Sequence, residues 1–229
     1  MINLSDEIQE FNNLLLSVSW DYVEFESLEF QEGLSFSGQI LSCNHKRLLN
    51  QLVKLVPEWE RVIGRRQHKA HSYCLDIHII QVVNKIMKQC EFKKLNNYYK
   101  LVILWGALLH DIEKNENVVD PDHPSKSADK ANLILKRLNF DEYFIRCVCT
   151  LIRYHTVIGF IATDRLNLNI ADLTNKIGDE KIVDLFIIFS IADIKAVKSN
   201  ESFYNEAIDS KIKQIQTEIN NYYRKITEL

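Results

Sequence analysis

The stretch Leu101–Lys114, LVILWGALLHDIEK, decides the fold. Its first nine residues, Leu101 to Leu109, carry no charge and run straight into His110 and Asp111. A run of that kind is a core helix, and an imidazole beside a carboxylate at its end is costly. Burying either without a partner costs several kcal/mol, and a metal ion is the simplest partner for both. A His-Asp pair also arises by chance, so the weight falls on what surrounds it.

Upstream, QHKAHSYCLDIHIIQVVNKI (67–86) holds His68, His71 and His78 in its first twelve residues. Ile79, Val82, Val83 and Ile86 mark an apolar helical face behind them. His71 and His78 are seven apart, two turns on one helix, so only one of them reaches a given ion. Downstream, the helix predicted over Tyr98–Lys114 gives way to a polar loop, NENVVDPDHPSKSA, carrying His123. Ser125 or Ser127 caps a helix running to Lys136. Asp141 caps another whose apolar face, Ile145, Val148, Leu151 and Ile152, ends at Arg153, Tyr154 and His155. Gly159 and DRLNLN read as a loop, Ala171–Ile177 as a short helix, and Gly178 with Asp179 as a break. In LFIIFSIADIKAV (185–197), Asp193 is the sole acid, and a carboxylate in so apolar a helix needs a partner.

At the amino end, Ser5 caps a first amphipathic helix (Ile8, Phe11, Leu14, Leu15) reaching Val18. Residues 20–43 lose the pattern and read as an irregular cover with a short hairpin near Gly33. Leu48 to Val56 form a short helix stopped by Pro57. At the other end, Ser202 starts a long amphipathic helix through Phe203, Ile208, Ile212, Ile215, Ile219 and Tyr222. The organisation expected is an extension over 1–56, a main domain over 57–200 and a closing helix over 201–229 of the same domain.

With 46% hydrophobic and 26% charged residues in 229, the chain can bury a substantial core, and six glycines with three prolines are too few for a sandwich or barrel. A net charge of -3 leaves no strong nucleic-acid footprint, although Arg61, Arg65, Arg66 and Lys69 form a local cluster able to meet phosphates. Five cysteines without a CxxC pair point to reduced packing thiols and a cytoplasmic home. The start, MINLSDEIQEF, has no signal-peptide pattern, and no apolar stretch approaches the roughly 18 residues that span a bilayer, so no membrane is expected.

Collected, the candidate ligands are His78, His110, Asp111, His123, His155 and Asp193, mostly at or near the ends of apolar helical faces. Imidazoles and carboxylates in this number suit two first-row divalent ions with positions left for water and substrate. The chain here resembles the HD superfamily of metal-dependent phosphohydrolases, over about Pro57 to Val197. Within it the closest likeness is to the HD domain of the uridylyltransferase/uridylyl-removing family. The runs that carry it are PEWERVIGRRQHKAHSYCLDIH, LLHDIEK, the histidine of DPDHPSKSA, IRYHTVIGFIATDR and IIFSIADIKAV. Departures are Glu113, where the family has glycine, read as a helix residue, and Arg165 with Asp164 beside it, where the family has paired basic residues.

The resemblance implies an all-α HD-domain bundle with an N-terminal helical extension and a long C-terminal helix. It also implies a hydrolase cleaving a phosphoester or phosphodiester in a nucleotide or nucleotidylated substrate through a metal-activated water. The cofactors would be two divalent ions (Mn, Fe, Zn, Ni, Co or Mg), and the partner a small phosphorylated or nucleotide substrate, with a homo-oligomer left open. Asp111 is the expected bridge and catalytic carboxylate, His78, His110 and Asp193 the holders of one ion, and His123 and His155 of the second. Lys114, one turn beyond His110, is the expected catalytic cation and substrate contact, with Arg153 and Arg165 as further substrate contacts. Two other readings share these ligands: a di-iron oxygenase of the same superfamily and a non-catalytic nucleotide- or metal-sensing domain.

Overall fold

The computed structural model describes residues 4–18, 43–68, 74–197 and 206–227, and among these every regular element is helical. The all-α expectation holds. The centre of the bundle is α5 (Asn97–Leu109), in which Val102 to Leu109 are all buried. Flanking it are α3 (Leu75–Lys88) and α7 (Glu142–Tyr154), and α10 (Glu180–Ala196) packs on α3, α5 and α7. Helices apolar on nearly every side can exist in water only when surrounded by others, which is why α3, α5 and α10 lie inside. Gly106 of α5 faces Leu151 of α7, with space for an ordinary methyl contact. A Cβ there would meet Leu151 Cδ1 at 3.5 Å.

The outer elements each contribute one apolar face. Helix α1 (Asp6–Ser17) docks on α5 through Phe11, whose ring meets Trp105 edge-on at 5.3 Å, and through Asn12, which accepts the Trp105 indole N–H at 2.9 Å. Helix α2 (Cys43–Leu55) pairs with α1 and leads into a tight turn, Pro57–Arg61, whose Trp59 is fully buried and donates to the Leu108 carbonyl at 2.9 Å. Helix α4 (Cys90–Lys94) links α3 to α5, and α6 (His123–Arg137) lies along α7. Helices α8 (Val157–Ala162), α9 (Ile170–Ile177) and α11 (Glu206–Thr227) close one side, with Ile212, Ile215 and Ile219 of α11 buried.

The start of α7 is capped as the sequence indicates by Asp141, whose carboxylate accepts the Phe144 N–H at 2.7 Å, and Asp179, read from the sequence only as a break, caps α10 by accepting from Lys181 and Ile182. Gly178, at φ +81°, ends α9 in the left-handed region. Several boundaries differ from expectation. Helix α3 begins at Leu75, so His68 lies in the irregular segment before it, and His71 falls outside the described residues. Helix α5 stops at Leu109, and α6 begins at His123, ahead of both serines proposed as its cap. Gly159 sits inside α8 and not in a loop, and Ser5 makes no side-chain cap bond. The hairpin near Gly33 and the Ser202 cap lie outside the described residues.

Of the thiols, Cys74 and Cys147 are buried and Cys149 partly so, but Cys90 is exposed and is not a packing residue. The expectation that no apolar stretch nears membrane-spanning length needs one correction, since Glu142–Ala162, read across the turn at His155 and Thr156, is long and apolar enough by composition to cross a membrane. The buried face of α7 lies on α5 and α6.

Candidate metal centre

The centre forms where several helices stop. His110 is the first residue beyond α5 and His155 the first beyond α7. Each ring Nδ1–H donates to the carbonyl three residues back, His110 to Ala107 at 2.8 Å and His155 to Ile152 at 2.7 Å. Carbonyls in a last helical turn lack an intrahelical donor, so the helix end itself orients the imidazole. A carbonyl can only accept, so the proton sits on Nδ1, and in the neutral ring Nε2 is a lone pair aimed inward. His123 follows the same rule at the start of α6, with its Nδ1–H on the Asp120 carbonyl. His78 enters from the first turns of α3 and Asp193 from the last turn of α10.

These six side chains meet in two halves that share one residue. In the first, His78 Nε2 lies 3.3 Å from His110 Nε2 and 3.2 Å from Asp193 Oδ1. Asp111 Oδ2 is 3.5 Å from His110 Nε2 and 3.7 Å from His78 Nε2. In the second, Asp111 Oδ1 is 3.0 Å from His123 Nε2 and 3.6 Å from His155 Nε2, and the two ring nitrogens are 3.4 Å apart. Asp111 thus turns one oxygen to each half. Donors about 2.0–2.1 Å from one ion, at right-angle to tetrahedral spacing, stand about 2.9–3.4 Å from each other. The observed separations fall at or just above that range, so the donor set fits a divalent ion in either half. Phe189 sets its ring edge-on against His110 and His155, with centroids 5.6 and 6.1 Å away, and forms an apolar wall.

Burial sets the charge states. It drives the His110 imidazole pKa down and pushes that of His155 down to about 3, so both rings stay neutral and available as ligands. Burial would raise the Asp111 carboxyl, but the Lys114 ammonium, His110 and His123 hold it well below the usual carboxylate range. Asp193 is likewise held low against its burial, chiefly by the hydrogen bond from His78. His123 is raised despite burial, because Asp111 favours its charged form. Lys114 Nζ sits 2.7 Å from Asp111 Oδ2 and His123 Nε2 lies 3.0 Å from Oδ1, so each oxygen faces a nitrogen where a metal ion would bind.

All six sequence-predicted ligands and Lys114 come together. Two other candidates do not. Arg153 projects from the outer face of α7 and pairs with Asp129 at 2.6 Å, and Arg165 is exposed in the turn after α8. Glu113 turns to Lys130 at 3.5 Å, away from the ligands. Sequence reasoning missed the supports. Asp120 anchors His123, Arg65 donates to the Lys114 carbonyl at 2.7 Å, and Ser127 Oγ accepts the Glu113 N–H at 3.2 Å. Residues that act through backbone carbonyls leave no residue-type signal. Arg65, in the basic cluster, was the one with a visible cue.

A helical bundle that closes around an adjacent His-Asp pair, three further histidines and a second aspartate has the make-up of an HD-like domain. Its relatives are bifunctional uridylyltransferase/uridylyl-removing enzymes. That of Stutzerimonas stutzeri is 28% identical over 183 residues, covering 73% of this chain and 20% of the relative. That of Gluconobacter oxydans is 29% identical over 162 residues, 64% of this chain and 17% of the relative. A Pseudomonas putida enzyme is 25% identical over 191 residues, 76% of this chain and 20% of the relative. The chain thus spans about a fifth of the length of these curated relatives. No family model matches it.

Proposed function

We propose that the chain is a metal-dependent phosphohydrolase that cleaves a phosphoester or phosphodiester bond in a nucleotide or nucleotidylated substrate. The observation that carries this reading is the division of Asp111 between two histidine-rich halves, with the Lys114 ammonium on the same carboxylate. The relatives' uridylyl-removing activity, borne by proteins far longer than this chain, agrees in reaction class. His78, His110, Asp193 and Asp111 Oδ2 would hold one divalent ion, and Asp111 Oδ1, His123 and His155 a second. Bound ions would lower the pKa of a water and gather the negative charge that develops on the phosphoryl oxygens.

The chain's own residues do the rest. Asp111 keeps the two halves in register, and the neutral rings of His110 and His155 supply lone pairs without competing for protons. Phe189 keeps water from the back of the centre. Lys114, with its side chain 14% exposed, has room to leave Asp111 and meet a substrate phosphate as a point charge. The test is metal analysis of the purified chain followed by a screen of nucleotide phosphomonoesters and phosphodiesters with Mn²⁺, Co²⁺ and Mg²⁺. Turnover abolished by chelation and higher with Mn²⁺ than with Mg²⁺ is expected, because imidazole donors suit borderline ions. Two irons per chain with dioxygen consumption and no phosphoester cleavage would move the assignment to an oxygenase. A filled centre without either activity would leave a sensing role.

A further inference from the structure

We infer that Asp120 is the positioning residue of the second half of the centre, and that the two halves therefore take up ions with unequal affinity, the half containing His123 being the weaker. The inference rests on the two-ion reading above. In the first half all three exclusive ligands stand on or next to α3, α5 and α10, which pack directly on one another. His155 is held the same way by α7. His123 differs, because the carbonyl that orients its ring belongs to Asp120, in the irregular stretch between the His-Asp turn and α6.

That stretch has little to fix it by packing, since Val118 is 49% and Val119 73% exposed. Its first part is tied to Arg66, whose carbonyl accepts the Asn117 N–H and whose N–H donates to Glu116, both at 3.4 Å, and the part next to His123 is fixed by the Asp120 side chain, only 3% exposed. Its carboxylate accepts from Asn115 Nδ2 at 2.6 Å, from the Asp122 backbone N–H at 3.2 Å and from Lys126 Nζ at 3.1 and 3.3 Å. One donor comes from the loop's start, one from its end and one from the first turns of α6. The carboxylate therefore clamps the loop while the carbonyl of the same residue sets the His123 ring. Groups that orient a metal ligand commonly govern affinity about 10–100-fold.

The experiment is calorimetric and spectroscopic titration of the ion-free full chain with Co²⁺, comparing wild type with Asp120→Ala, Asp120→Asn and Lys126→Met. Expected is two-step uptake by wild type. Asp120→Ala should weaken the second step about 10–100-fold while the first step keeps its affinity and its visible Co²⁺ spectrum. Asp120→Asn, which still accepts from the Asp122 N–H, should recover part of the loss. Lys126→Met, whose side chain is 47% exposed in the native protein, should shift the second step the same way by less, and covers the case in which Asp120→Ala fails to fold. An unchanged second step, or an equal loss in both steps, overturns the role of Asp120. A wild-type chain that binds fewer than two ions overturns the two-ion reading itself.

Discussion

Replacing Asp111 with alanine removes the one residue that both halves share, so its effect on ion binding should exceed that of any single histidine. Without ions, the variant strips Lys114 of a partner at 2.7 Å. Leaving a buried charge unpaired costs about 3–5 kcal/mol, but the Lys114 side chain is 14% exposed and can turn to water, so about 1–3 kcal/mol is expected. For a chain of this size each kcal/mol moves the melting temperature about 2–4 °C. With ions the gap should widen. At a free concentration of about 100 Kd, one bound ion stabilises the folded state by about 2.7 kcal/mol, so two give about 5 kcal/mol, or roughly 10–20 °C. Thermal melting of wild type and Asp111→Ala, with and without Mn²⁺, reads this difference directly, and elemental analysis counts the ions. The wild type should gain that shift and the variant almost none. An Asp111→Ala protein that holds two ions per chain, or melts with the same Mn²⁺-induced shift as wild type, would refute the assignment of Asp111 as the shared ligand.

Lys114→Ala should keep both ions by elemental analysis while turnover falls about 100-fold, as for loss of one group stabilising transition-state charge; loss of the ions with the lysine would place it among the residues that build the centre. Trp105→Phe removes the donor to Asn12, which is 4% exposed, and should cost about 1–3 kcal/mol in urea unfolding; adding Asn12→Leu should recover part of that by removing the orphaned amide. At pH 8 iodoacetamide should modify exposed Cys90 well before Cys147 and Cys149, whose thiols burial pushes up to about 11, so that few are thiolate; rapid labelling of the latter two in the folded protein would contradict their placement.

Much of the centre was legible because a polar residue that interrupts an apolar helical face is costly unless it has a partner. His78, His110, His155 and Asp193 each do so, and each proved to be in the cluster. His123 sits in a polar stretch with no such contrast, and only its residue type put it among the candidates. Its helix start was readable, since Pro124 follows in the position where a proline's missing N–H costs least. The outward turn of Arg153 was readable as well. It lies seven residues beyond Arg146, on the polar side of a helix whose opposite face buries Phe144, Ile145, Val148, Leu151 and Ile152. The late start of α3 follows from the same logic, because unbroken apolar periodicity begins only near Leu75.

The end of α5 is where the missing detail mattered most. An α-helix continued to Lys114 would set that residue four positions on from His110 and stack the ammonium over the imidazole. Instead the chain tightens after Leu109, with the Ile112 N–H donating to the Leu109 carbonyl at 3.3 Å and the Lys114 N–H to the Asp111 carbonyl at 2.9 Å. Three-residue bonds of this kind eclipse positions i and i+3, so Lys114 stands over Asp111 and not over His110. The hydrophobic pattern cannot distinguish the two, since it ends at Leu109 and the next five residues are fixed by their own turn. That turn determines which ligand the lysine touches. His110 keeps its Nε2 lone pair open to the first half, while the Lys114 ammonium is brought to the carboxylate that both halves share.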